Sequence, residues 1–358
     1  MGKRNGLIDF YRFIFSLVIV FHHAMWLDGV VDISTQVVFL GGYSAVEFFF
    51  IVSGLFLAKK AYSCQESNEV GKRTWHEIIN RIKTLYPAFL VAFIISFGLK
   101  HHFSGGNIFE MLTSSIGELM LLLGAGFNFG NGIYIGPIWY LSDLLIVILM
   151  LFPIMIKFKR FFSSIIAPLI VILGYGYLAM TTNQLTDTIN QVGIICGGIL
   201  SGCCGVALGN IIYYLTLRRK IKFTKIGKIL LRLLEVSGLF SVLYCMNRYN
   251  GDYYDYIEVV LFAMLVLLAF KYEQDTIFNN KIIYLLGEYS GTLYVVHTCL
   301  LQIPHYIWPN TWKMQYLMWM LMTNVISILV FAFVKLFFPI IKQTVINILI
   351  CRDGESVC

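Results

Sequence analysis

The chain has 358 residues, of which 58% are hydrophobic and only 13% are charged, and its mean hydropathy is +0.75. Apolar runs of membrane-crossing length recur from end to end, which excludes a water-soluble globular enzyme and implies a polytopic membrane protein. A net charge of +7 would suggest a nucleic-acid partner in a soluble chain; here its distribution argues for topology, and the partner expected is the lipid bilayer, with no nucleic acid.

The first run, residues 7–27, follows Lys3 and Arg4 as the core of a signal peptide would. It lacks a small-residue cleavage site and exceeds a typical signal core in length, so it is read as a retained helix. Further runs at 37–58, 84–99, 137–156, 162–181, 190–215, 229–247, 255–270, 282–303 and 316–341 predict an all-α bundle of about ten spanning helices. The connections rich in Lys and Arg alternate with poor ones. Lys59/Lys60 through Lys83, Lys157 to Arg160, Arg218 to Lys228, Lys271/Lys281 and Lys342/Arg352 fall on the side of the N-terminus, against only Lys100, Arg248 and Lys313 opposite. The positive-inside rule then places both termini in the cytoplasm, with the chain in the cell membrane.

One segment breaks the count. Residues 108–127, "IFEMLTSSIGELMLLLGAGF", carry Glu110 and Glu118, and a full span there would invert every later basic loop. It is expected to be a re-entrant or interfacial helix on the outer side, with irregular backbone covered by protein or lining a wet cavity. Glycines at four-residue spacing between 193 and 209 suit a close helix crossing. A single membrane domain, 1–345, is expected to precede a short cytoplasmic tail, 346–358. The eight cysteines form no CxxC pair or regular spacing, so neither a disulfide framework nor a metal site is expected.

The chemistry is concentrated in the first helices. Arg12 and His23 are eleven residues apart, which at about 100° per residue puts both on one helix face, separated by roughly 16 Å along the axis. An arginine at membrane depth costs several kcal/mol unless paired or wetted, so the face is expected to line an interior cavity, the alternative being that Arg12 snorkels to the headgroups. In the second helix Glu47 stands among aromatics in "GGYSAVEFFFIVSGLFLAKK", near the expected depth of His23. It is expected to orient that imidazole, the alternative being a purely structural pair.

These residues resemble the acyltransferase-3 family of multi-pass membrane O-acyltransferases. Arg12, ten intervening residues and His23 match its arginine-x10-histidine signature, and "GGYSAVEFFFIVSGLFL", with Glu47, Ser53 and Gly54, resembles its acidic-FF-x-x-SG block. "RIKTLYPAFL" resembles its basic-YP entry into the third helix, "GPIWYLSDLLIVILMLFP" its tryptophan-leucine-serine segment, and "LLGEYSGTLYVVHTCL" its late GxxS…Y…H segment. Members often carry a second arginine where Thr84 stands here, leaving Arg81 and Lys83 as its substitutes.

The resemblance implies transfer of an acyl group, most often acetyl from cytoplasmic acetyl-CoA, to a hydroxyl of a cell-surface polysaccharide or lipid-linked glycan. The acyl-CoA is a donor substrate, and no permanently bound cofactor is implied. Arg12, Arg81 and Lys83 would meet the donor's phosphates, and its slender arm would run along the bundle to His23, acting as general base or as an acylated nucleophile. Ser53, Tyr86, Trp139, Ser142, Tyr294 and His297 are the candidates for lining the cavity, His297 as a second ionisable group in mid-span. A proton-coupled transporter or exporter of glycan or lipid would also explain buried ionisable groups, but it predicts an internal repeat, and none is found.

Overall fold

The computed structural model describes residues 4–27, 37–64, 69–127, 133–182, 184–185, 191–192, 195–217, 224–271, 277–308 and 311–354. Among these, nine helices are long and apolar enough to cross a membrane. In chain order they are α1 (Gly6–His22, continued by a 3-10 turn, His23–Trp26), α2 (Ala45–Ser63, after a 3-10 turn, Gly42–Ser44), α3 (Val70–Ser104) and α4 (Trp139–Lys157). They continue with α5 (Lys159–Thr181, with a π-helical stretch at Phe162–Ile166), α6 (Gly197–Thr216), α7 (Lys225–Arg248), α8 (Tyr253–Lys271) and, last in the chain, a helix spanning Trp312–Gly354. A tenth helix, α9 (Lys281–Val296), is shorter, and the last is α10. The chain is therefore a multi-pass, all-α membrane protein; the strands among the described residues are a two-residue ribbon, Gln191–Val192 with Ile195–Cys196.

Local chemistry accounts for the helix starts. The Asn5 side chain accepts from the backbone N–H groups of Leu7 and Ile8 and donates to the Ala269 carbonyl at 2.8 Å, so one residue caps α1 and ties it to the end of α8. Asn280 caps α9 in the same way. The heart of the bundle is the crossing of α2 with α6. A Cβ on Gly54 would stand 2.1 Å from the Val206 carbonyl oxygen, and one on Gly209 only 2.0 Å from that of Ile51, so the two backbones touch where only glycine fits. The spacing seen in the sequence is thus a packing device; Gly193 of that series lies outside the described residues.

Three boundaries differ from expectation. The 84–99 run and the amphipathic stretch before it are one 35-residue helix, α3, with Pro87 inside it. The run 282–303 is not one helix: α9 stops at Val296, residues 297–302 form turns, and a short helix, Ile303–Ile307, follows. The freed backbone is satisfied by α10, since the Trp319 indole and the Thr323 hydroxyl both donate to the His297 carbonyl, at 3.0 and 3.4 Å. His297 is therefore at a helix end and not in mid-helix. Finally, the backbone of α10 runs unbroken through residue 345 to Gly354, so no break in the helix separates the expected tail from the domain.

The expected re-entrant segment is made of two short helices, Ile108–Ser114 and Ile116–Leu119, and a 3-10 turn, Leu123–Ala125. Glu118 anchors it. Its carboxylate is buried and accepts from the backbone N–H groups of Tyr134 (2.8 Å) and Ile135 (2.6 Å). Burial outweighs those two donors and the charge of Lys100, and pushes the carboxyl up to about 7.

Candidate active site

The two ends of the bundle differ in kind. At the end where α1 begins, charges are paired: Glu288 of α9 joins Arg4 (2.7 Å) and Lys335 of α10 (2.8 Å), and Glu77 of α3 joins Lys60 of α2 and, within its own helix, Arg81. At the other end, where α1 and α9 stop, lies a cavity of about 760 Å³, within the usual range of ligand sites. Its walls include His22, His23, Trp26, Tyr134, Trp139 and Tyr294, together with Leu123, Gly124 and Gly126 of the re-entrant segment.

His23 is buried on that wall, and its partner is His297. His297 Nε2 lies 3.1 Å from His23 Nδ1, and the same His23 Nδ1 lies 2.8 Å from the Ile19 carbonyl oxygen. His297 Nδ1 lies 2.7 Å from the Tyr294 carbonyl oxygen. Carbonyl oxygens only accept, so the network assigns a hydrogen to each Nδ1. His297 Nε2 is then a lone pair that shares the His23 Nδ1–H with Ile19. What remains on His23 is the lone pair of Nε2, on the far side of the ring from both partners. The geometry is that of a base whose tautomer is set from behind.

Glu47 is elsewhere, which corrects the expectation that it orients His23. Its carboxylate accepts from the Tyr175 hydroxyl at 2.8 Å and from the Ser201 hydroxyl, so it joins α2 to α5 and α6 inside the bundle. The physical reason is the 3-10 turn at His23, which ends the helical extrapolation there, and the close α2–α6 crossing, which turns Glu47 toward Gly205.

Of the three residues expected to meet the donor, Arg12 and Arg81 lie at the paired end. Arg12 is 3.4 Å from Asp9, and Arg81 is 3.1 Å from Glu77. The two guanidinium groups are close enough to repel each other, and both act on the Tyr140 hydroxyl. Lys83 is exposed on α3 and is not drawn into this group. Ser53 meets Tyr140 oxygen to oxygen at 3.2 Å.

Arg12 and Arg81 do not line the cavity. The rings of Phe49, Tyr140 and Tyr294 pack as a triangle with sides of 6.2, 6.1 and 5.7 Å, of which Tyr294 lines the cavity. The cavity at His23 therefore does not extend to the two arginines among its described lining residues. Of the six lining candidates, Trp139 and Tyr294 line the cavity, and His297 lies behind His23. Ser53 belongs to the Tyr140 contact. Tyr86 and Ser142 hold the re-entrant segment in place instead, the Tyr86 hydroxyl donating to the Leu119 carbonyl (3.1 Å) and Ser142 accepting from the Gly124 N–H (2.9 Å).

Sequence reasoning did not single out Tyr140, Trp26 or Lys100. Trp26 packs edge-on against His23 with ring centroids 4.3 Å apart, and the Lys100 ammonium sits 4.7 Å over the Tyr134 ring on the cavity wall. Tyr140 stood in plain view within "WYLSD", but nothing in spacing alone turns it toward two arginines. Among the described residues no three His, Cys, Asp or Glu side chains converge as a metal site.

No curated protein and no solved structure matches this chain. The family model of the acyltransferase-3 type, described as an acyltransferase domain, matches residues 5–339, nearly the whole length and every residue of the histidine pair, the aromatic triangle and the arginine cluster. The chain belongs to the acyltransferase-3 family and is a multi-pass membrane acyltransferase.

Proposed function

We propose that this acyltransferase moves an acyl group, acetyl in the simplest case, from acyl-CoA to a carbohydrate hydroxyl held in the cavity at His23. The observation that carries the reading is the His23–His297 pair at the cavity wall, which leaves one lone pair, Nε2, available as a base. In the reaction His23 Nε2 takes the proton of the acceptor hydroxyl while its oxygen attacks the thioester carbonyl. The C–O bond forms, the C–S bond breaks, and the imidazolium returns its proton to the departing thiolate. His297 Nε2 and the Ile19 carbonyl accept the Nδ1–H throughout, so the positive charge on His23 is stabilised without a carboxylate.

Arg12 and Arg81 suit the anionic phosphates of the donor, since guanidinium matches phosphate in charge and geometry. The distance from Arg12 to His23, roughly 16 Å along a helix, is then spanned by the donor's slender thioester arm. With the basic connections in the cytoplasm, the arginine end faces the cytoplasmic donor, the cavity faces outward, and the acceptor is a cell-surface or lipid-linked glycan.

The test is release of free CoA by the protein in lipid nanodiscs supplied with acetyl-CoA and glycan, alongside mass spectrometry of surface glycans from cells. The expected result is CoA release only when donor and acceptor are both present, and a glycan gaining the mass of one acetyl group in cells with wild type and not with His23→Ala at equal membrane levels. Modification that persists in His23→Ala removes His23 from the chemistry.

A further inference from the structure

Attack on a thioester places negative charge on its carbonyl oxygen, and preorganised donors aimed at that oxygen are usually the largest single contribution to catalysis. The break after α9 supplies two donors on one residue, Thr298. In an unbroken helix the Thr298 N–H would donate to the Tyr294 carbonyl, but His297 Nδ1 lies 2.7 Å from that oxygen and donates to it instead. Among the described residues no backbone carbonyl accepts the Thr298 N–H. The Thr298 hydroxyl, which in a helix would turn back to a carbonyl three or four residues earlier, is buried and has no partner either. The rest of the turn is fixed: the Thr298 carbonyl accepts from the Leu301 N–H (3.3 Å), the Cys299 N–H donates to the Val296 carbonyl (3.0 Å), and α10 holds the His297 carbonyl. Thr298 lines the same cavity as His23 and follows directly on the histidine that sets the base's tautomer. Burying an unused donor is costly, so two of them on one cavity-wall residue call for an acceptor that arrives with the substrate.

We infer that Thr298 is the oxyanion site, its N–H and O–H receiving the carbonyl oxygen of the thioester. This rests on the acyl-transfer reading and gives that reaction a further catalytic residue. As the acceptor oxygen bonds to the carbonyl carbon, the carbonyl π pair moves onto its oxygen, between the two donors. The pair returns as the C–S bond breaks, and the thiolate leaves with the proton that His23 Nε2 took from the acceptor hydroxyl. One hydrogen bond of His297 then serves twice: by occupying the Tyr294 carbonyl it fixes the tautomer of His297 and frees the Thr298 N–H.

The experiment measures steady-state CoA release in nanodiscs for wild type, Thr298→Val and Thr298→Ser. The donor is acetyl-CoA, and the acceptor is the unacetylated surface glycan purified from cells carrying His23→Ala. Valine keeps the shape and removes the hydroxyl donor; serine keeps the donor and removes the methyl group. Loss of one oxyanion donor predicts a kcat about 10²-fold lower in Thr298→Val, with both KM values within about threefold of wild type, and a kcat within about tenfold of wild type in Thr298→Ser. A second readout is independent of turnover. The infrared carbonyl band of acetyl-CoA, isotopically labelled at the acetyl carbonyl carbon, should move to lower wavenumber on binding to wild type and Thr298→Ser, and move less on binding to Thr298→Val. Wild-type turnover in Thr298→Val, equal losses in the valine and serine variants, or one carbonyl band common to all three proteins overturns the inference and leaves the acyl-transfer reading standing. A wild type that releases no CoA strikes that reading, and this assignment with it.

Discussion

Two buried polar clusters, one around Glu47 and one around His23, are built from similar material and have opposite characters. Glu47 lies inside the close crossing of α2 and α6, and hydroxyls from α5 and α6 reach its carboxylate, so its oxygens are spoken for within the protein. His23 lies where α1 tightens into a 3-10 turn, its partner His297 lies where α9 ends, and the pair stands at a cavity wall. A polar group satisfied on every side contributes to packing and helix register, whereas one satisfied from behind and open in front is poised for chemistry. Depth in the membrane did not distinguish the two ionisable residues; helix continuity did.

The largest effect is expected at His23 itself. His23→Ala should lower turnover by about 10²–10⁴-fold, the usual worth of a general base, with donor affinity and membrane level retained. Equal turnover in the two proteins would make the histidine cluster another packing device. Next, His297→Phe keeps an aromatic ring but deletes the acceptor behind His23. It should cost at least about tenfold in turnover and shift the pH profile of CoA release, because proton affinity at His23 is tuned from behind; His297→Asn, which restores an acceptor, should recover part of both. An unaltered pH profile would reduce His297 to a filler.

Glu47 should respond in stability and not in turnover. Glu47→Gln retains an acceptor for Tyr175 or Ser201 and should leave turnover within about threefold of wild type. Glu47→Leu strands two buried hydroxyls at about 1–3 kcal/mol each, so its thermal midpoint in detergent should fall well below that of Glu47→Gln. A large loss of turnover in Glu47→Gln at unchanged midpoint would return the carboxylate to the mechanism.

The smallest effect concerns the re-entrant segment. The Glu118 carboxyl is raised from 4.5 to about 7 by burial, so the folded protein holds its proton where the unfolded chain has released it. The cost of burying the charge is absent below pH about 4.5 and complete above about 7, and stability should fall as pH rises through that window. Glu118→Gln should flatten this part of the thermal-midpoint profile; a slope identical to wild type would locate the titration elsewhere.

Much of the fold was legible from the residues. Apolar run length marked the spans, Glu110 and Glu118 marked 108–127 as something other than a span, and glycine spacing marked the helix crossing, because each reflects a local requirement of lipid or backbone. The site was legible in its parts. Arg12, His23, Trp139, Tyr294 and His297 were all named from motifs, yet Glu47 was assigned to the wrong neighbour, and Ser142 and Tyr86 were assigned to a cavity when they hold the segment that walls it. A helical wheel extrapolates only as far as the helix, and α1 and α9 stop at the two residues that matter most.

The order of amino acids was enough to specify a membrane-embedded helical bundle, its family and the residue types of its chemistry, since hydropathy, spacing and motif are properties of neighbours along one chain. It took the folded arrangement to pair His23 with His297, 274 residues away, to pack the rings of Phe49, Tyr140 and Tyr294 against one another, and to bring Trp139 and Tyr294 to the cavity wall while Arg12 and Arg81 stay off it. Those facts depend on where helices break and how closely they cross, and both are settled by packing between segments distant in sequence.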